Sequence, residues 1–134
     1  FLLFKNCKTF LDLNIEIMFF KQINTYLIYD LRADYYVTAR NNGFSYFDKA
    51  TQTFHNYNQR SLPALPSNRI WTLAEDQNNE IYLGHENSGL TIFSPKTSTI
   101  KNFLNDPEDP KSLPGNKVNK IFIDNDQNIW IGTN

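Results

Sequence analysis

The sequence LPSNRIWTLAEDQNNEIYLG at residues 65–84 decides the fold, because it returns as LPGNKVNKIFIDNDQNIWIG at residues 113–132. The two copies lie 48 residues apart and align without a gap. An earlier and more diverged copy aligns at a spacing of 46, which sets Asp30 on Asp76. A fixed period of this length indicates a repeat architecture, in which each copy is one supersecondary unit.

Each copy contains short apolar segments that are rich in β-branched and aromatic residues and are separated by Asn, Asp, Gly, Ser and Pro. This pattern predicts strands joined by tight turns. In the second copy we predict strands near residues 69–74, 80–84, 90–94 and 99–104. Four antiparallel strands in every 40–50 residues or so are typical of a β-propeller blade.

We therefore predict an all-β protein, namely a partial β-propeller of about two and a half four-stranded antiparallel blades. The N-terminal segment alternates apolar and polar residues from Leu11 to Phe19, which is typical of a half-buried strand, but it matches none of the repeats. The predicted divisions are an unassigned strand segment at 1–22, blade 1 at 23–60, blade 2 at 61–108, and the first half of blade 3 at 109–134.

Composition narrows the choice of partners. The chain has 134 residues, with 13 Lys and Arg against 14 Asp and Glu, and no basic block. Nucleic acid and anionic membranes need a concentrated basic patch, so neither is an expected partner. No apolar run approaches the roughly 20 residues that span a bilayer. The chain starts at Phe1 and contains one methionine, so we expect it to be a piece of a longer protein.

Metal sites and catalysis are not predicted. Residues 124–128, DNDQN, begin like a calcium loop, but Ile129 stands where the sharp turn needs glycine. We interpret this segment as a hairpin turn, in which Asp and Asn side chains bond to nearby backbone N–H groups. One cysteine and two histidines are too few for a zinc site. Because Asp30, Asp76 and Asp124 recur with the repeat, we assign them to the blade rather than to a reaction centre, and we expect no cofactor and no enzyme activity in this segment.

Polar loop residues that do not repeat are the better candidates for ligand contacts. In propellers, the loop between the second and third strands of a blade opens on the same face as the inter-blade loop, where ligands commonly bind. Trp71 and Trp130 have the side chains that stack on sugars, but their positions within strands favour core packing. The predicted contacts to a polar or sugar-like ligand are Arg40, His85, Glu86 and Asn87.

The repeated residues resemble the two-component regulator propeller repeat. The resemblance is carried by LPGNKV at 113–118, Asp124, NIWIGT at 128–133 and GLTIF at 89–93. It implies a sensor of the kind common in gut Bacteroidetes, with a periplasmic propeller, a β-sandwich domain, one membrane helix and a cytoplasmic histidine kinase. Many such sensors respond to oligosaccharides.

For this chain, the resemblance implies a part of a ligand-sensing propeller in a hybrid histidine kinase. Its expected location is the periplasm, and its expected partners are the remaining blades, an oligosaccharide ligand and a second copy of the full-length sensor. No membrane contact is expected for this segment. Two alternatives stay open: a propeller enzyme acting on polysaccharide, with catalytic residues on other blades, and a protein-interaction scaffold of the WD-repeat kind, whose Gly-His and Trp-Asp pairs this chain lacks.

Overall fold

The computed structural model describes residues 25–31, 34–39, 42–48 and 50–134. The predicted segment 1–22 lies outside these residues. Three antiparallel sheets follow one another along the chain, and in each sheet the strands neighbour one another in sequence order. The first sheet contains β1 (Thr25–Leu31), β2 (Asp34–Ala39), β3 (Gly43–Asp48) and β4 (Thr53–Tyr57). The second contains β5 (Ile70–Glu75), β6 (Ile81–His85), β7 (Leu90–Ser94) and β8 (Thr99–Phe103), and the third contains β9 (Val118–Ile123) and β10 (Ile129–Thr133).

This architecture confirms the all-β class and the partial propeller. The strands of the second sheet start and end within one residue of the predicted limits. The first strands of the second and third sheets, β5 and β9, pack against each other, as expected where blades surround a common axis. Every residue of β6 is buried, whereas β8, on the outer edge, is mostly exposed.

The second sheet is apolar on both faces because it lies between two other sheets. Ile81, Leu83 and Phe93 face the first sheet and join a core that also includes Phe44. In this core the rings of Phe44 and Phe93 meet edge to face, with centroids 5.2 Å apart. Burying one such side chain contributes about 1.5–3 kcal/mol, so these contacts supply much of the adhesion between blades. The opposite face carries Tyr82 and Leu90, which form a second core with Val118 and Ile121 of the third sheet.

An aspartate organises the turn between the first two strands of the third sheet. Asp124 Oδ1 accepts hydrogen bonds from the backbone N–H groups of Asp126 (3.0 Å) and Asn128 (2.8 Å). The indole Nε1 of Trp130 donates to Asp124 Oδ2 at 2.9 Å. Hydrogen bonds from Trp130 and Asn128 hold the pKa of Asp124 below its ordinary value. Asp76 accepts equivalent backbone bonds in the second sheet, so the predicted hairpin turns are confirmed.

The alignment of Asp30 with Asp76 is wrong. In the first sheet Asp30 pairs with Tyr35, and the equivalent pair in the second sheet is Glu75 with Ile81. Asp30 therefore occupies the position of Glu75. The reason is the turn length, since two residues separate β1 from β2, whereas five separate β5 from β6.

Candidate ligand-binding face

The predicted loops meet at the end of the sheets where β5 and β9 begin. This face carries the turn between β6 and β7 and the inter-blade segments 58–69 and 104–117. At its inner edge the backbone N–H of Ile121 donates to Thr72 Oγ1 at 3.3 Å, which joins the two innermost strands. Loops at this face are therefore positioned by the sheets beneath them and surround the propeller axis.

The repeated asparagine of the Leu-Pro-x-Asn motif holds the loops of this face together. Asn116 Oδ1 accepts from the backbone N–H of Asn105 at 2.7 Å, and the Asn116 carbonyl accepts from the Gly89 N–H at 2.8 Å. One residue thus joins the inter-blade segment to the turn between β6 and β7. Asn68 makes the same two contacts in the preceding copy, with Gln59 and Gly43.

Glu86 and Asn87 lie in the turn after β6, on the predicted face. Glu86 Oε2 accepts from Arg69 Nη1 at 2.6 Å, and the Glu86 N–H donates to the Arg69 carbonyl at 3.2 Å. The Arg69 side chain is 61% exposed, whereas that of Glu86 is 25% exposed. Asn87 is exposed. Arg40, the fourth predicted residue, lies outside the described residues, so a shared ligand contact of the four stays a prediction.

His85 lies inside the second sheet and does not face the loop opening that was predicted for it. Its Nε2 is 2.7 Å from Thr91 Oγ1, and Thr91 Oγ1 donates to Asn102 Oδ1 at 3.1 Å. A similar bond in the first sheet joins Ser45 to Asn56 at 2.6 Å, so this row of polar side chains belongs to the blade.

The charge state of His85 follows from its position. Burial lowers the pKa of His85 from 6.5 to about 4, and the Arg69 carbonyl opposes this shift. No hydrogen bond of acceptable geometry reaches His85 Nδ1. At neutral pH the ring is therefore uncharged, and it serves the polar row rather than the solvent-exposed face.

Each innermost strand carries a β-bulge near this face. In the second sheet Ile70 pairs with His85 and Thr72 with Gly84, which leaves Trp71 as the extra residue. Register shifts of the same kind occur in the first and third sheets. The extra residues there are Tyr26 and Asn119.

Trp71 is a candidate ligand contact that could not be recognised from the sequence, because its position within a strand favoured core packing. Trp71 lies at this bulge, is half-buried and belongs to neither of the two hydrophobic cores that the described residues form. Lys117 Nζ lies 4.9 Å from the centroid of the Trp71 ring, a cation–π contact between the third and second sheets. Trp130 is 61% exposed on the third sheet, of which the structure describes two strands, so its predicted core packing stays a prediction. Only the backbone register, which is a tertiary property, distinguishes Trp71 from a core residue.

The described residues contain neither a metal-binding cluster nor a membrane-spanning helix. No group of three or more His, Cys, Asp or Glu side chains there is arranged to hold a metal ion. Within the same residues, no helix has the length and apolar character needed to cross a membrane.

Comparison with known proteins identifies the repeat. The family model of the two-component regulator propeller matches residues 64–87 and 112–134. The matched segments cover the inner strands of the second and third sheets together with the motif that holds the loops. These two segments are therefore similar to the two-component regulator propeller repeat.

Individual relatives agree with this class. A histidine kinase, P4, of Formosa agariphila is 38% identical over 64 residues, which is 48% of this chain and 5% of that protein. The extracellular domain of a hybrid two-component system of B. thetaiotaomicron is 35% identical, with a TM-score of 0.65, and the match covers 81% of this chain and 14% of that domain. A second such extracellular domain from B. thetaiotaomicron is 25% identical, with a TM-score of 0.61, over 76% of this chain and 13% of its own length. This chain thus corresponds to a small part of each relative, and it is similar to segments of two-component regulators.

Proposed function

We propose that this chain is part of the ligand-sensing propeller of a bacterial hybrid histidine kinase, located on the periplasmic side of the inner membrane. The observation that carries the proposal is the pair of regulator repeats in register, on a fold shared with extracellular domains of hybrid two-component systems. In such an arrangement the propeller has no chemistry to perform. Its role is to bind a ligand and to transmit the binding free energy to the kinase.

The proposed ligand is an oligosaccharide. Sugars are recognised by aromatic faces that cover their C–H groups and by polar side chains that bond to their hydroxyls. The loop face offers both kinds of group, with Trp71 at the bulge and the Arg69–Glu86 pair beside the turn after β6. The loops that carry them are fixed by Asn116 and its counterpart, so little ordering is required on binding.

The proposed partners within the protein are further blades. The outer face of the third sheet exposes Phe122 (59%), Ile129 (40%) and Trp130 (61%). A groove of about 600 Å³ lies between β10 and the outer strands of the second sheet, with Leu104 and Ile131 among its lining residues. Completion of the third sheet and addition of a neighbouring blade would cover these apolar surfaces, as the second sheet is covered on both sides. We also propose that the full-length sensor forms a homodimer.

The test of this proposal uses the whole protein that contains this chain. Binding is measured by calorimetry against a panel of neutral and acidic oligosaccharides, and autophosphorylation is measured in vesicles with each of them. Saccharide-dependent phosphorylation supports the proposal. Depolymerisation of a glycan without phosphorylation would replace it with a propeller enzyme, and a stable protein partner in place of any saccharide would replace it with a scaffold.

A further inference from the structure

We propose that the bulged residue of each innermost strand is a ligand-contacting position, and that Trp71 and Lys117 form a subsite for an anionic sugar bearing carboxylate or sulfate. This inference rests on the proposed sensing function and specifies the ligand class. It concerns Trp71, at the bulge of β5, and Lys117, which directly precedes β9 and contacts the Trp71 ring.

The bulge keeps its position from sheet to sheet while its residue type changes. All three described sheets contain the bulge at the same level, although the bulged residues are Tyr26, Trp71 and Asn119. Residues that serve the blade keep their type from copy to copy, as the loop-binding Asn68 and Asn116 do. A bulge redirects a side chain and is over-represented beside functional sites. A bulge that is retained while Trp71 in the second sheet gives way to Asn119 in the third is therefore suited to recognition, in which neighbouring blades present different groups.

A cationic residue directly precedes the innermost strand in both the second and the third sheet. Arg69 and Lys117 hold equivalent positions, since their carbonyls accept from the N–H groups of Glu86 and Asn134 at 3.2 and 3.1 Å. In the second sheet the Glu86 carboxylate balances the Arg69 charge. In the third sheet the position of Glu86 is held by Asn134, a neutral amide, and the Lys117 ammonium lies over the Trp71 ring instead. The subsite thus contains a cation that no carboxylate at that position balances.

The aromatic ring at the bulge and the Lys117 ammonium beside it together favour an anionic sugar. Its carboxylate or sulfate would pair with Lys117, while the C–H groups of its ring would contact the Trp71 face and edge. Both protein groups are partly buried, which excludes some water and strengthens the ion pair relative to a fully exposed one. A neutral sugar could use Trp71 alone and would leave the ammonium without a counter-ion.

The experiment compares matched ligands on the whole protein. The probes are tri-galacturonate and its methyl ester, in which each carboxylate is a neutral ester, and a sulfated carrageenan tetrasaccharide with its desulfated form. We expect at least one anionic probe to bind about tenfold or more tightly than its neutral form, equal to the loss of one partly exposed ion pair. The pair of probes that shows the difference identifies carboxylate or sulfate as the recognised group.

Variants assign the effect to the subsite. We expect Lys117→Met to abolish the preference for the anionic probe, Lys117→Arg to retain it, and Trp71→Ala to weaken both members of the pair. Lys101→Met removes the same charge from the exposed outer strand β8 and is expected to change nothing. Retained binding of the neutral probe by Lys117→Met shows that this variant is folded, and Lys117→Gln replaces it if that binding is lost.

Two outcomes overturn the inference. Equal affinity for charged and neutral forms excludes the anionic subsite, and so does a preference that Lys117→Met leaves intact. If other, neutral saccharides still drive phosphorylation, the proposed sensing function stands while this inference fails. If no saccharide binds or stimulates the kinase, both fail.

Discussion

A methyl group added at Gly84 would collide with two side chains where the second sheet meets the third. Its Cβ would lie 2.4 Å from Thr72 Cγ2 and 2.7 Å from Val118 Cγ1. Carbon atoms in contact normally lie about 3.5–4.0 Å apart, so Gly84→Ala requires the sheets to shift by roughly an ångström. Overpacking of this kind costs about 1–3 kcal/mol, and we expect a loss of about 2 kcal/mol in the free energy of unfolding.

The same repeat position in the third sheet provides the matched control. A Cβ on Gly132 would meet only Lys120, at 3.8 Å from its carbonyl oxygen, which is an ordinary van der Waals distance. Replacement of glycine by alanine at an unstrained position changes stability by about 0.4–1 kcal/mol in the favourable direction. We therefore expect Gly132→Ala to be neutral or slightly stabilising in this chain.

A second substitution tests the collision itself. Thr72→Ser deletes the Cγ2 methyl that lies nearest to the added Cβ, yet it retains the hydroxyl that accepts from the Ile121 N–H. The double variant Gly84→Ala/Thr72→Ser should therefore lose less stability than the two single variants together, with a coupling of about 0.5–1.5 kcal/mol. Urea denaturation with linear extrapolation measures the unmodified chain and the four variants. Equal losses for Gly84→Ala and Gly132→Ala, or strict additivity in the double variant, would refute the packing argument.

Three further predictions follow from the described contacts. Asn116→Ala leaves the Asn105 N–H without its acceptor and should lower the free energy of unfolding by about 1–2 kcal/mol in the same urea titrations. Its control, Asn87→Ala in the exposed turn, should change that free energy by less than about 0.5 kcal/mol. His85 binds a proton more readily in the unfolded chain than in the folded one, so the free energy of unfolding should fall by about 3 kcal/mol as the pH drops from 6.5 to about 4. His85→Gln should remove this pH dependence. A pH dependence that disappears in His55→Gln instead would contradict the assignment to His85. The chain of 134 residues should self-associate through the exposed face of β9 and β10, and a cooperative melt from a strictly monomeric sample in analytical ultracentrifugation would exclude this.

The strands and their grouping into blades could be predicted from the sequence because they depend on local residue patterns, and each pattern occurs again in the next copy of the repeat. The limits of β5 to β8 follow from apolar segments bounded by turn residues, and the second copy of the pattern removes the ambiguity of the first. The role of Asp124 is equally local, since it bonds to backbone groups two and four residues ahead. Such features require no knowledge of which sheets are neighbours.

Strand register and side-chain direction could not be predicted in this way. The offset of Asp30 from Asp76 arises from a shorter turn, and a gapless alignment at a spacing of 46 does not reveal it. The bulge at Trp71 is one unpaired residue, and nothing in the sequence of β5 marks it. His85 follows the last glycine of its strand and was therefore assigned to the loop, although β6 extends through it and buries its ring.

Repetition alone does not separate structural residues from recognition residues, as Arg69 and Lys117 illustrate. The contact that repeats at this position is made by the backbone carbonyl, which any amino acid supplies. Their side chains have different partners, a carboxylate for Arg69 and an aromatic ring for Lys117. The backbone contact therefore does not account for a cation at either position. In a propeller, the atoms that make a repeated contact show whether the backbone or the side chain of a repeated residue serves the blade. A side chain whose partner changes from blade to blade is therefore a candidate for ligand recognition.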